Sequence, residues 1–384
     1  MGTRSTHRRR PGRRGARAAT PAPRVRSVRS TVLLAMASGV VAVLVGCSVT
    51  VGPTGSVAAT SGAATGATSD VEAARAEVRR AGPAAPDGPL PTVRVAPYVD
   101  LTTPPVPDLA AAVAASGQRD LVLAFVLAGP RGCAPTWGGT TPLGDPLVAA
   151  QVGALRARGG TTTLSSGGAI GRYLETSCPD AASLARAYAT ALDAVGTDHL
   201  DVDIETDAGR DVDLDRVAEA LAILQRDRGA RITLTLQIED AATGMTEDAV
   251  DLVRAVTDRG VATRVNLMTM NFDDDGAWSA AMVGAVDASV RQLTALWPGS
   301  TDTEIAGRVG VTYMIGRNDT DATTQLDDAA VVVDAARTRG LGYVGFWSFV
   351  RDNGGCPGTA DEADECSGVV QPSWAFSRGA QAFA

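Results

Sequence analysis

Asp198-His199-Leu200-Asp201-Val202-Asp203-Ile204-Glu205 alternates acids with aliphatic side chains along one extended run. Successive side chains of a strand point to opposite faces, so Asp201, Asp203 and Glu205 share one face and Leu200, Val202 and Ile204 the other. Aspartate fits poorly in strands, which weakens the reading of a merely solvated acidic strand. In a closed barrel the acidic face points inward and the aliphatic face packs on surrounding helices, so three carboxyl groups converge at the carboxyl end of one strand. Like charges that close cannot all ionise. At least one is expected to stay protonated near neutral pH, as a general acid must. A calcium or magnesium site would usually recruit oxygen ligands from loops. Strict alternation on a central strand points to catalysis instead, with no metal and no cofactor.

Outward from this strand the same organisation repeats. Short β-branched runs at 93–99, 121–127, 161–165, 199–204, 231–238, 264–270, 308–313 and 343–347 are separated by segments with apolar residues three or four apart, such as 181–195, 213–228, 246–259 and 329–339. Strand and helix alternating in this way argue for βαβ units. Eight units in a domain of this size predict an α/β fold, a single (β/α)8 TIM barrel. An open doubly wound sheet would need a topological switch that the even repeat does not suggest. The domains expected are a leader over 1–46, an Ala/Thr/Ser/Gly/Pro-rich disordered linker over 47–91, and the barrel over 92–384.

The leader carries ten arginines and no acid in its first thirty residues, then an apolar run ending Leu44-Val45-Gly46-Cys47. That reads as an export signal with a lipoprotein cleavage box, leaving Cys47 as the acylated N-terminus. The apolar run is shorter than the roughly 20 residues a membrane span needs. The expected location is therefore the extracellular face of the cell membrane, or the medium, with membrane contact only through a lipid at Cys47. A monomer is expected. Of 35 basic residues ten leave with the leader, so 25 remain against 43 acids, a net charge near −18. Such a surface repels phosphate backbones, and no nucleic-acid partner is expected. Every basic residue is arginine, which excludes Schiff-base lysine chemistry and P-loop phosphate binding. Beyond the leader only His199 remains, so a multi-histidine metal site is impossible. Cys133, Cys178, Cys356 and Cys366 form an even set in a chain bound for an oxidising compartment and suggest two disulfides. Three connectivities are open.

Asp198-x-x-Asp201-x-Asp203-x-Glu205 resembles the DxxDxDxE signature of family 18 glycoside hydrolases, the chitinases and their relatives. Ser165-Ser166-Gly167-Gly168 resembles that family's SxGG on the third strand. Segments 96–100, 268–272, 310–316 and 346–348 resemble the bacterial chitinase branch, so the likeness spans residues 93 to about 353. The resemblance implies retaining, substrate-assisted hydrolysis of β-1,4 bonds between N-acetylglucosamine units, with chitin or its oligosaccharides as partner. Glu205 would protonate the leaving oxygen while the substrate's acetamido carbonyl attacks C1. Asp203 would hold the acetamido N–H, Asp201 would share a hydrogen bond or proton with Asp203, and Asp198 would be structural. Alternatives left by the resemblance are a sugar-binding barrel without turnover and an endo-β-N-acetylglucosaminidase.

The sequence departs from the family pattern at Met270 and Asn271, where many members carry Tyr and Asp. A donor for the acetamido oxygen would then come from elsewhere, with Tyr98 and Tyr313 as candidates. Trp347 is expected to floor the subsite beside the scissile bond, with Met268 also lining it. Trp137 and Trp278, in predicted loops after the second and sixth strands, are further candidates for the cleft. Aromatic residues make up only 4% of the chain, which favours a short cleft for soluble oligosaccharides over a long aromatic groove.

Overall fold

The structure, a computed structural model, describes residues 82–102, 108–205, 211–274, 276–358 and 365–384. The expected leader, Cys47 and the linker up to residue 81 lie outside the described residues.

Eight barrel strands follow one another: β1 Tyr98–Asp100, β2 Leu121–Ala128, β3 Thr162–Gly167, β4 His199–Ile204, β5 Arg231–Asp240, β6 Thr263–Met268, β7 Val309–Met314 and β8 Tyr343–Trp347. Each pairs in parallel with the next. β8 meets the chain just ahead of β1 through one parallel bridge, Val95 to Val344, in which Ala96 N–H donates to Val344 O at 3.2 Å and Val344 N–H to Arg94 O at 2.8 Å. The architecture is the (β/α)8 barrel of the α/β class that the alternation implied. The sixth strand was expected to reach Met270, but it ends at Met268, and Asn271 beyond it takes a left-handed φ of 59° that no strand tolerates.

Crossover helices separate the strands: α1 Leu109–Ser116, α2 Pro146–Ala157, α3 Ala181–Val195, α4 Leu214–Arg228, α5 Glu247–Asp258, α6 Trp278–Leu296 and α7 Leu326–Thr338. Asp108, Asp145, Asp180, Asp213 and Thr246 start the first five by accepting backbone N–H bonds, and Gly117, Gly196 and Gly229 end three of them in the left-handed conformation. The outward residues of β4, Leu200, Val202 and Ile204, are buried with Leu184, Tyr188, Val217 and Leu221 of the adjoining helices. This contact between strand and helix is the main apolar core.

The barrel interior is divided in two. Around β8, β1 and β2 it is apolar, with Tyr98, Val122, Ala124 and Tyr343 packed together and Phe125 and Trp347 against them. Around β3 to β7 it is polar and arranged in layers. His199 occupies the lowest layer, one ring nitrogen against the Thr163 hydroxyl at 2.8 Å and the other against Thr233 at 2.9 Å. Burial holds this imidazole well below its usual pKa, so it is neutral in the fold. Arg264 closes the amino-terminal end, donating to Val93 O at 2.9 Å and Pro91 O at 2.8 Å and lying over the Tyr343 ring.

Residues 82–91, expected within the linker, instead pack on the barrel. Ala85 is buried and its N–H donates to Ser300 Oγ at 2.9 Å, while Gly299 N–H donates to Pro83 O at 2.8 Å. Their Pro- and Gly-rich composition hid this, because these contacts use the backbone. Of the three connectivities left open for the cysteines, the fold takes Cys133–Cys178 and Cys356–Cys366.

Candidate active site

The inward residues of β4 climb the barrel in steps of two. Asp201 and Asp203 are both buried, and Glu205, one residue past the end of the strand, is half-buried at the rim. Asp201 collects three hydroxyl donors: Ser165 at 2.7 Å and Tyr98 at 3.0 Å on Oδ2, and Thr235 at 2.6 Å on Oδ1. The donors are themselves backed up. Asn266 donates to Tyr98 Oη at 3.2 Å and to Thr235 Oγ1 at 3.0 Å, and the Thr312 hydroxyl donates to Asn266 Oδ1 at 3.0 Å. Hydrogen-bond polarity from β1, β3, β5, β6 and β7 thus converges on one carboxyl group.

Burial is the larger influence on Asp201 and raises its pKa to about 6, while the Thr235, Ser165 and Tyr98 hydroxyls pull the other way. A carboxyl raised to that value passes between neutral and charged forms on the acid side of neutrality. It also sets a stability trend. An unfolded aspartate titrates near ~3.9, so the fold favours the protonated form, and Asp201's contribution to stability is complete below that value and lost as pH rises through about 6. Asp201→Asn is therefore expected to raise the melting temperature relative to the unmutated protein at pH 8, with the difference vanishing near pH 4. Thermal melts across that range test it, and an equal difference at both ends would contradict it.

Above these acids lies a cleft of about 460 Å³ lined by Asp203, Glu205, Tyr98, Phe125, Met314 and Trp347. Trp347 stacks on Phe125 with ring centres 5.6 Å apart at 19° and leans on Tyr98 at 6.4 Å. Carboxyl groups on one wall therefore face a flat apolar surface on the other, which suits a ring with one polar edge and one apolar face. Beyond Glu205 the cleft broadens into an open groove of about 1830 Å³ bordered by Gln237, Glu239, Glu247 and Asp248.

Most of the residues picked out in the sequence come together here. Met268, Met270 and Asn271 line the cleft. The Asn271 side chain is engaged across two loops: its amide donates to Asp319 Oδ2 at 2.8 Å and its oxygen accepts Asp319 N–H at 2.9 Å. Asp198 lies at the opposite end of β4, paired with Arg231 at 2.6 Å. Gly167 and Gly168 have φ of 112° and 89°; a Cβ on Gly167 would lie 1.9 Å from Asp203 O, and one on Gly168 2.7 Å from the Phe125 ring. Glycine at both positions lets β3 lie against β4 and the apolar wall.

Three aromatic expectations fail. Tyr313 is fully buried against Phe346, outside the cleft, and its hydroxyl cannot serve a bound ligand. Trp137 is buried on the short strand Pro135–Trp137, which pairs with β2. Trp278 begins α6, where its ring packs on Phe272 at 4.8 Å and its N–H donates to Thr324 at 2.9 Å. In each case the ring found core partners that its place in a predicted loop or strand end did not show. Conversely, the sequence reading missed Phe125, Thr235, Asn266, Thr312 and Asp319. Thr235 and Asn266 carry a faint signal, since each stands on the inner parity of its strand. Phe125 carries none, because the register between β2 and β3 shifts between Leu123 and Val126 and breaks the alternation that would have assigned its face.

Among the described residues no group of three or more His, Cys, Asp or Glu side chains could hold a metal ion. Fold and site together define a class, a (β/α)8 barrel of the glycoside hydrolase type with its acids at the carboxyl end of the fourth strand.

No family model matches the chain. It is 32% identical over 302 residues to the Escherichia coli K12 protein named as a probable bifunctional chitinase/lysozyme, a match covering 73% of this chain and 33% of that one. To endochitinase 11 of Metarhizium anisopliae it is 31% identical over 273 residues, covering 67% of this chain and 52% of that one. It therefore spans a third and about half of the lengths of these two relatives. Solved structures of the catalytic domain of a Pyrococcus furiosus chitinase, including catalytic-site mutants complexed with chito-oligosaccharides, align with a TM-score of 0.69 at 31% identity, over 79% of this chain and 97% of theirs. The chain belongs to glycoside hydrolase family 18, the chitinase family.

Proposed function

We propose that the protein is a retaining chitinase-like hydrolase that cleaves β-1,4 bonds between N-acetylglucosamine units with help from the substrate's own acetamido group. The observation that carries this is the climb of Asp201, Asp203 and Glu205 up the inner face of β4 into a cleft walled by Trp347. Glu205, at the rim, is the acid that gives its proton to the glycosidic oxygen as the C1–O bond breaks. The acetamido carbonyl oxygen bonds to C1 from the opposite side, giving an oxazolinium ion. Asp203 holds the acetamido N–H and offsets the positive charge, and Asp201, supplied by its three hydroxyl donors, exchanges hydrogen-bond or proton character with Asp203. Water, deprotonated by Glu205, then opens the ring with net retention.

The test is to incubate the protein with chitin oligosaccharides and follow the first products by proton NMR. Early β-anomer is expected; early α-anomer would exclude the retaining route. A second reading, a sugar-binding barrel without turnover, is favoured by Met270, which offers no hydroxyl, and by the commitment of the Asn271 amide to Asp319. Oligosaccharide binding by calorimetry with no product over days would select it.

We also propose export with a lipid at Cys47, supported by the arginine-rich start, the apolar run and the Leu44-Val45-Gly46-Cys47 box. Cys47→Ser is expected to move the protein from the membrane fraction to the soluble one, and unchanged fractionation would contradict the anchor.

A further inference from the structure

Glu205 sits where the β4 ladder runs out. On the side facing β3, register ends at Gly167 opposite Asp203, and the last backbone bond is Gly168 N–H to Asp203 O at 3.0 Å. A strand residue two further on points its N–H to the same side, so the amide of Glu205 is aimed at a strand that has already ended. The Tyr173 hydroxyl fills that place, accepting Glu205 N–H at 3.2 Å while donating to Gly168 O at 2.6 Å. One closed circuit therefore runs from Asp203 through Gly168 and Tyr173 to Glu205, and both acids share an anchor on the Ser166-Gly167-Gly168 corner.

The anchor itself is rigid. Tyr173 is fully buried. Just before it, Arg172 O accepts Ala128 N–H at 2.8 Å from the end of β2. Just after it, the buried Glu175 carboxyl accepts the Ser166 hydroxyl at 2.8 Å and the Tyr188 hydroxyl at 2.7 Å, and Cys178 is disulfide-bonded to Cys133. A phenol held in such a frame has little freedom to follow the strand end, so the strand end must follow it.

We propose that Tyr173 is a positioning residue for Glu205: its hydroxyl replaces the ladder partner that β3 cannot supply and fixes where the strand end delivers the Glu205 carboxyl to the leaving oxygen. This rests on the hydrolase reading given above. If Tyr173 acts through proton delivery, its loss must matter in proportion to the substrate's need for a proton. A sugar leaving group needs one; a dinitrophenolate leaving group departs without it.

The experiment compares Tyr173→Phe, which keeps the ring, with Tyr313→Phe, which removes a buried hydroxyl that lies outside the cleft and outside the frame around Tyr173. Each is assayed on chitotetraose and on dinitrophenyl chitobioside, beside the unmutated protein and Glu205→Gln, with folding checked by near-UV circular dichroism. For Tyr173→Phe, kcat on the tetrasaccharide is expected to fall about tenfold with KM within about twofold, and kcat/KM on the aryl glycoside, which reports only the steps up to C1–O cleavage, to change by less than about twofold. Tyr313→Phe should change neither. An equal fall on both substrates, an equal fall in both tyrosine variants, or no fall at all would overturn the role. Inactivity of the unmutated protein on both substrates would sink the hydrolase reading and this role with it, and the unmutated control reveals that outcome separately.

Discussion

Glu205→Gln is expected to lower kcat on chitin oligosaccharides by roughly 10² to 10⁴, the range that a positioned general acid contributes, while leaving KM and the melting temperature close to those of the unmutated protein. The carboxamide matches the carboxyl in size and can still hydrogen-bond the glycosidic oxygen, so ground-state binding survives, but it has no proton of suitable acidity to give. The fold should be indifferent, because Glu205 is half-buried at the rim and its backbone bond to Tyr173 does not involve the side chain. Parallel measurements of kcat, KM and thermal melting decide the matter. An unchanged kcat would remove Glu205 from the acid role, and a collapse of the melting temperature would mean that the carboxyl serves structure.

Gly167→Ala is expected to be among the most damaging single methyl additions to the barrel. The added carbon would fall 1.9 Å from the Asp203 carbonyl oxygen, at a φ of 112° that alanine rarely adopts. The atom it meets is backbone, which cannot swing aside as the end of a flexible side chain could. Forced overpacking costs about 1–3 kcal/mol and the disfavoured backbone about 1–2 kcal/mol more, so stability should fall by several kcal/mol in urea titrations. Because β4 must shift to make room, activity should be lost along with stability. Gly153→Ala is the contrast: this residue lies within α2, a Cβ there meets nothing within 4 Å, and stability should rise by up to about 1 kcal/mol. Similar melting of both variants would mean that β3 and β4 are less closely apposed than the geometry states.

The fourth strand was legible residue for residue, as were α3 and β8, because their periodicity is strong and their neighbours do not interrupt it. The site was legible where parity reached: three acids in step on one strand could only converge. It was not legible where the decisive contact came from a distant part of the chain. Trp137 and Trp278 had the right residue type but were claimed by core partners. Tyr173 stands in a loop with no pattern of its own, and its bond to Glu205 spans 32 residues.

Sequence alone therefore determined the alternation of strand and helix, the inward face of β4, the apolar outward face that packs on helices, and the acidic character of the chain. These follow from properties of neighbouring residues, which the order of the chain states directly. Tertiary structure alone decided which tyrosine supports Asp201 and which lies in the core, which cysteines pair, how Phe125 comes to stack on Trp347, and what holds Glu205 where the ladder ends. Those outcomes depend on register and on the closeness of strands brought together by barrel closure, and no local pattern encodes a distance between residues that only the finished fold brings into contact.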